Sequence, residues 1–262
     1  VKPKILKPVV PNAGIASRYS KRLVALVREM TEAYAAWVPQ HYRAHPPALA
    51  QDSSFSDFDA AMLAFGAQWI DKFETWAPII AREYMLDMAK HADGAFRRAL
   101  RASGWEIDFQ VTPVMRDAFD AVLAENVALI KSIPVQFHGE VEKIISQAYI
   151  KAADVGQIAR ELKARFPIAE SRADLIARDQ VRKANAVVNR ARALDLGITQ
   201  AKWLHSHAGK VPRPDHVAAH GKIYDLEKGL LVSGEYIHPG ELINCRCVSR
   251  VILPGLPVDA SA

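Results

Sequence analysis

Cysteine is nearly absent from this sequence. Only Cys245 and Cys247 occur among 262 residues. One residue apart, they are badly placed to meet the dihedral demands of a disulfide with each other. A disulfide-stapled fold is therefore excluded, and a reducing, cytosolic site of synthesis is expected. Long apolar runs are also missing. None reaches the roughly 18–20 residues of a membrane span, and the best candidates are cut by Asp71, Lys72 and Glu74. The opening Val1-Lys2-Pro3-Lys4 has no apolar stretch behind it of the signal-peptide kind. No phosphate-binding glycine loop, no nucleophile elbow and no Cys-x-x-Cys pair is present. These absences remove nucleotide hydrolysis, serine-hydrolase chemistry and the commonest zinc spacing from consideration. There is no internal repeat and no low-complexity block.

What remains is an ordinary globular composition, 50% hydrophobic and 24% charged. The net charge of +5 permits contact with nucleic acid without requiring it. Its location is more informative. Residues 151–204 hold eleven basic against six acidic side chains, an excess equal to that of the whole chain. That excess reads either as a solvated helix face or as a surface for phosphate.

The periodicity predicts a mainly α fold, an elongated helical body followed by a small α+β C-terminal module with short antiparallel strands. Residues 1–14, rich in Pro and Lys, read as an extended N-terminal arm that orders only on a partner. The helical body is expected over 15–168, the α+β module over 169–253 and a loose tail over 254–262. In the first helix, 17–37, Leu23, Leu26, Val27, Met30, Tyr34 and Trp37 share one face. Pro39 and the His45-Pro46-Pro47 segment should end it. After a polar loop at 51–54, a second helical region covers 56–102, with an apolar stripe of Phe58, Met62, Phe65, Trp69, Ile70 and Phe73. Pro78 should kink or split it, and Ser103-Gly104 should stop it. Residues 105–111 alternate as a strand or extended link would. Pro113 opens a helix that Pro134 should break, and further helices are expected at 135–150, 154–165 and 169–196. Beyond Gly197, short strands are expected at 200–205, 222–226, 229–237 and 247–253.

Candidate chemistry gathers in this last part. Five of the nine histidines lie between His205 and His238. Imidazole nitrogen and thiolate sulfur are the usual zinc ligands, and His216, His220, Cys245 and Cys247 form a candidate two-His, two-Cys set. A structural zinc is the one cofactor considered. The bland alternative is that the histidines bind loop backbone and the cysteines are small buried hydrophobes. A third reading is a metal-dependent nuclease of the His-Asn-His type, with Asp215 and His216 as acid–base pair, His220 beside them and Asn244 orienting. The strand expected after Cys247 stands where such a site would need a ligand-bearing helix.

An ordered set of segments carries a resemblance. Leu129-Ile130-Lys131-Ser132-Ile133-Pro134, the helix from Arg172 to Gln180, the strand at Trp203-Leu204, Arg213-x-Asp215-His216, Gly221-Lys222 and Ile243-Asn244-Cys245-Arg246-Cys247 together resemble the Mu F-like minor head, or phage head morphogenesis, family. The likeness covers about 110–252. It implies a structural protein rather than an enzyme: a minor capsid component of a tailed bacteriophage, made in the host cytoplasm and placed in the virion, at the portal vertex or head interior. The implied partners are the portal protein, the major capsid protein and packaged double-stranded DNA, with no membrane. The helix 170–192 would then face DNA through Arg178, Arg182, Lys183 and Arg190. Many relatives carry a Cys-x-x-Cys where Val211 to His216 stand here. Either His216 and His220 replace those cysteines, or an ion pair of the Asp215–Arg246 type replaces the metal. Arg213, Asp215, Asn244 and Arg246 are the structural motif residues on this reading.

Overall fold

The computed structural model describes residues 4–47, 54–105, 112–207 and 211–254. Most of the loop expected at 51–54, most of the extended link at 105–111 and the tail beyond 254 lie outside these residues. The fold is mainly α with a small antiparallel module. Among the described residues, four long helices lead: α1 (Ala13–Ala44), α2 (Ser54–Arg101), α3 (Pro113–Lys151) and α4 (Val155–Asp195). A short strand, β1 (Lys4–Ile5), precedes them. After them come β2 (Gln200–Leu204), the one-turn helix α5 (Pro214–Ala218), β3 (Ile223–Asp225), β4 (Leu230–Val232), β5 (Glu235–Ile237) and β6 (Val248–Leu253).

Three helix starts are fixed by side-chain oxygens. Asn12 Oδ1 accepts the N–H groups of Gly14 and Ile15 at 2.8 and 3.1 Å. Thr112 Oγ1 accepts that of Met115, one residue before Pro113 enters the first turn. Asp154 Oδ1 accepts that of Gln157 at 2.9 Å. Helices α2 and α4 end on glycine. Gly104 and Gly197 take positive φ, and the residue after each donates five residues back, Trp105 to Leu100 and Ile198 to Ala193.

The expected proline breaks do not occur. Pro39, Pro78, Pro134 and Pro167 all sit inside continuous helices. The helix expected to stop at Pro39 runs on to Ala44, the break at Pro134 is absent, and the gap expected between 165 and 169 is helical. An interior proline removes one hydrogen bond and crowds one carbonyl, at a cost of about 3 kcal/mol. The apolar faces on either side run in phase and are buried: Tyr34, Val38 and Tyr42 around Pro39, and Ile130, Ile133, Phe137 and Val141 around Pro134. Two or three buried side chains at about 1.5–3 kcal/mol each outweigh the lost bond.

The chain packs as two compact units. One holds Ser17–Arg82 and Glu125–Ala177, and the other Val1–Ala16, Glu83–Ala124 and Arg178–Ala262. All four long helices contribute to both, and the expected 168/169 boundary falls within α4.

The unit of 17–82 and 125–177 is all helical. Its core is aromatic, with Tyr34 edge-on to Phe65 and Phe137 and Trp37 stacked on Phe65 at 4.7 Å. Thr31, Asn126 and His138 are polar groups buried within it. His138 Nδ1 is 2.8 Å from the Tyr34 hydroxyl, and its Nε2 is 3.2 Å from Glu142 Oε1. Burial pushes the Tyr34 hydroxyl well above the usual phenol range, and the Glu142 charge adds to this. Helix α2 passes the imidazole at Gly66, where a Cβ would lie 2.4 Å from the ring.

The other unit carries the sheet, in the order β1-β6-β2-β3, all neighbours antiparallel. The N-terminal segment, expected to order on a partner, is paired within its own chain. Lys4 and Ile5 pair with Leu253 and Ile252, Leu6 is fully buried, and Asn185 Nδ2 donates to the Val9 carbonyl at 2.9 Å. An apolar residue every few positions, Leu6 then Val9, is enough to bury this arm. The expected strand 229–237 is a hairpin of β4 and β5, turned by Ser233 and Gly234, both at positive φ as a type I′ turn requires. Arg192 is buried, 3.1 Å from the Ala89 carbonyl and 3.6 Å from Asp93.

The Gly66 contact gives the first prediction. Gly66→Ala gains helix propensity of about 1 kcal/mol, but must displace an imidazole held from both sides. We expect a net loss of about 1–3 kcal/mol, read as a lower midpoint in urea with an unchanged slope. A rise in midpoint would refute the close approach.

Candidate functional site

The site is assembled by three short connections in the sheet-bearing unit. Helix α5 presents His216 inward, with Pro214 in its first turn. The Asp215 carboxylate holds that turn, accepting the His216 N–H at 2.8 Å and the Ser233 hydroxyl at 2.9 Å. The second connection is the loop from His238 to Cys247. It is pressed onto α4 at Gly240, whose φ is +87° and where a Cβ would lie 3.0 Å from the Ala186 Cβ and 3.5 Å from the Arg182 carbonyl. The third is β2, which puts Trp203 5.4 Å edge-on from the His216 ring.

These connections bring His216, Cys245 and Cys247 together. All three are buried, and their ligand atoms lie within 4.8 Å of one another. His216 Nδ1 is 3.5 Å from Cys245 Sγ and 3.6 Å from Cys247 Sγ. Both cysteines are free thiols, in line with the expected lack of a disulfide. Cys245 Sγ also accepts the Gly240 N–H at 3.3 Å. A hydrogen bond accepted from Cys247 lowers the Cys245 thiol below the usual thiol range despite its burial, while donating that bond and burial together push Cys247 up. One nitrogen and two sulfurs at these spacings are a donor set that suits zinc.

His220, expected as the fourth ligand, is elsewhere. It is exposed, its Nδ1 accepts the His205 N–H at 3.1 Å, and its ring packs 5.0 Å from that of His207. The four-residue spacing from His216 suggests one helical face, but α5 ends at Ala218 and the chain turns before His220. His205 is a site residue that its sequence context does not single out. It is buried, and desolvation first, then the charges of His207, His216 and His220, hold its imidazole below the usual histidine range.

The remaining candidates hold the loop in place. Asn244 takes φ +61°, and its N–H donates to Asp179 Oδ1 on α4 at 2.9 Å. Partial burial raises the Asp179 carboxyl despite that bond and the nearby arginines. Arg213 Nη2 donates to the Ile243 carbonyl at 3.0 Å. Asp215 does not pair with Arg246: its oxygens are taken by Ser233 and the His216 N–H, and Arg246 is exposed. The Asp215 bond to His216 runs to the His216 backbone N–H, and Asn244 is tied through its own backbone N–H to Asp179. The basic residues of α4 divide: Arg178 is exposed, Arg182 lies 3.8 Å from Asp179, and Lys183 and Arg190 are half-buried. Among functional positions that sequence reasoning misses, Asp179 and Glu241 carry no local signal. Each is one acid among many until the loop is folded against it.

Glu241 closes the loop. Its Oε2 accepts the His238 N–H at 2.9 Å and lies 3.3 Å from His238 Nδ1, while His238 Nε2 is 3.1 Å from the Leu226 carbonyl. The His238 side-chain bond, chiefly, lowers the Glu241 carboxyl to about 2. A depressed carboxyl contributes stability that is complete above its unfolded value, about 4.3, and is lost as pH falls from there through about 2. Glu241→Gln should therefore cost about 1 kcal/mol at neutral pH, a figure reduced for partial exposure. The gap from the parent should close as pH drops toward 2. A gap that widened on acidification would contradict the assignment.

Residues 139–250 match the family model described as phage Mu protein F like protein, a span that runs from within α3 through α4 and the whole His/Cys module into β6. An uncharacterized protein of Haemophilus influenzae is 32% identical over 142 residues, which is 54% of this chain and 31% of that relative. The chain thus spans about a third of the length of the curated relative it matches. No solved structure matches. Residues 139–250 of this chain are thus similar to the phage Mu protein F like family.

Proposed function

We propose that this protein is a minor capsid component acting in head morphogenesis of a tailed bacteriophage. It would dock on the portal or the inner capsid surface in the virion, and would not turn over a substrate. The family match over 139–250 carries this reading. The site geometry supports the non-enzymatic part. The side chains of Asp215 and Arg213 are committed to holding turns, and His216 faces two sulfurs in the interior. No helix among the described residues is long and apolar enough to cross a membrane.

The test is co-purification. Portal-containing procapsids from an induced lysogen should retain the protein through gradient sedimentation, and a particle lacking portal should not. Recovery only in soluble fractions, together with metal-dependent plasmid nicking that Asp215→Asn abolishes, would overturn the structural reading in favour of a nuclease.

Contact with packaged DNA belongs to the same proposal. Arg178, exposed on α4, is its first candidate, with Lys183 and Arg190 beside it. Each phosphate contact adds about 0.9 to the slope of log affinity against log salt. Arg178→Ala should flatten that slope by about one contact and weaken duplexes of any sequence equally. Binding insensitive to salt would remove DNA from the list of partners.

A further inference from the structure

We propose that His216, Cys245 and Cys247 form a structural zinc site, with His205 rather than His220 as the fourth ligand. The first support is metric. Zinc bonds of about 2.3 Å to sulfur and 2.0–2.1 Å to nitrogen, set at the tetrahedral angle, separate a ligand nitrogen from a ligand sulfur by about 3.6 Å. The structure has 3.5 and 3.6 Å between His216 Nδ1 and the two sulfurs. The second support is valence. His216 Nδ1 lies within reach of both sulfurs, and a neutral imidazole nitrogen has one proton or one lone pair, not both, to share between them. A cation among the three atoms satisfies all of them.

The third support is the placement of His205. In the β2–β6 ladder Trp203 faces Ser249 and Leu204 faces Val248. The ladder ends there; extended by one step its register would set His205 opposite Cys247, although the His205 nitrogens lie outside the 4.8 Å cluster of the other three ligand atoms and must move to complete it. Strand alternation puts His205 on the Trp203 side, the side that meets His216. His205 is buried, as a ligand to a closed site must be, whereas His220 is exposed. His205 Nδ1 now accepts the His207 N–H at 3.0 Å, and ligation requires that contact to give way. Two thiolates and two neutral imidazoles leave a zinc complex without net charge, the form that burial tolerates. Four protein ligands make the site structural rather than catalytic. It would fasten α5, β2 and the loop before β6 at one point.

The experiment uses the full chain, freed of any affinity tag, expressed with zinc in the medium. Elemental analysis should give one zinc per chain. Cobalt exchange should give sulfur-to-metal charge transfer and the intense visible bands of a tetrahedral ion. In the same parent protein both thiols should resist a thiol reagent until a chelator is added, a readout that needs no variant to fold. Cys247→Ser and His216→Ala should lose the metal, His205→Ala should weaken its binding by more than the roughly 10–100-fold that loss of an outer-shell partner costs, and His220→Ala should retain it. Folded parent protein with no zinc, no cobalt spectrum and freely reactive thiols overturns the site. Zinc held only through His207 and His220 overturns it as well. Unchanged affinity in His205→Ala overturns the fourth ligand.

Discussion

The close approach of the His238–Cys247 loop to α4 is the constraint on which the C-terminal module depends. A Cβ at Gly240 would lie in ordinary contact with the Arg182 carbonyl and tight against Ala186, at a φ of +87° that strains any L side chain. The neighbouring hydrogen bond from Asn244 to Asp179 fixes the other end of the loop on the same helix. With both ends held, Cys245 and Cys247 are turned inward and β6 starts in register with β2. The inward direction is costly for the backbone at Asn244, a non-glycine residue in the left-handed region. That cost is offset by charge-assisted hydrogen bonds at Asp179 and Glu241, each worth more than a neutral bond.

The balance of local cost against packing also decides which parts of the fold are legible in the sequence. Periodicity locates the helical regions, because Leu23, Met30 and Tyr34, and Phe58, Met62 and Phe73, lie on one face each and are buried as that face predicts. Turn chemistry locates the strands, because the glycines at 197, 229, 234 and 240 sit where φ is positive. Prolines mislead. The local cost of Pro134 predicts a break, while the buried face that carries the helix through it extends several turns on both sides. Local signals report what a residue prefers, and packing over three or four turns decides what it does.

The candidate site is legible by residue type and not by geometry. His216, Cys245 and Cys247 can be named from chemistry, and the fold brings them together. His220 cannot be separated from His205 in the same way, because that distinction depends on a helix stopping after five residues and a strand pairing in one register rather than another. A one-residue change in register would turn His205 to the opposite face. Asp179, sixty-five positions before the Asn244 it anchors, has no sequence signature at all.

The N-terminal segment limits how the sheet-bearing unit can dock. Its basic, proline-rich composition suggests an arm awaiting a partner, yet β1 adds an edge strand to β6 and Leu6 is sealed beneath it. Arg250, on β6, donates to the Leu6 carbonyl at 3.2 Å, and Asn185, on α4, donates to that of Val9. Strand β6 therefore has neighbours on both edges, β1 and β2, and its start is set by the Cys247 turn. A strand paired on both sides presents no open edge for another chain to join. Any docking by this unit must then use side-chain surfaces or the outer edges at β1 and β3, where the order of strands ends. On β3 the outward residue is Ile223, exposed and apolar, and on the separate β4–β5 hairpin Leu231 and Tyr236 face each other across the ladder, both exposed. Apolar side chains on short strands, held by a rigid loop, favour docking through a preformed surface over one that orders on binding.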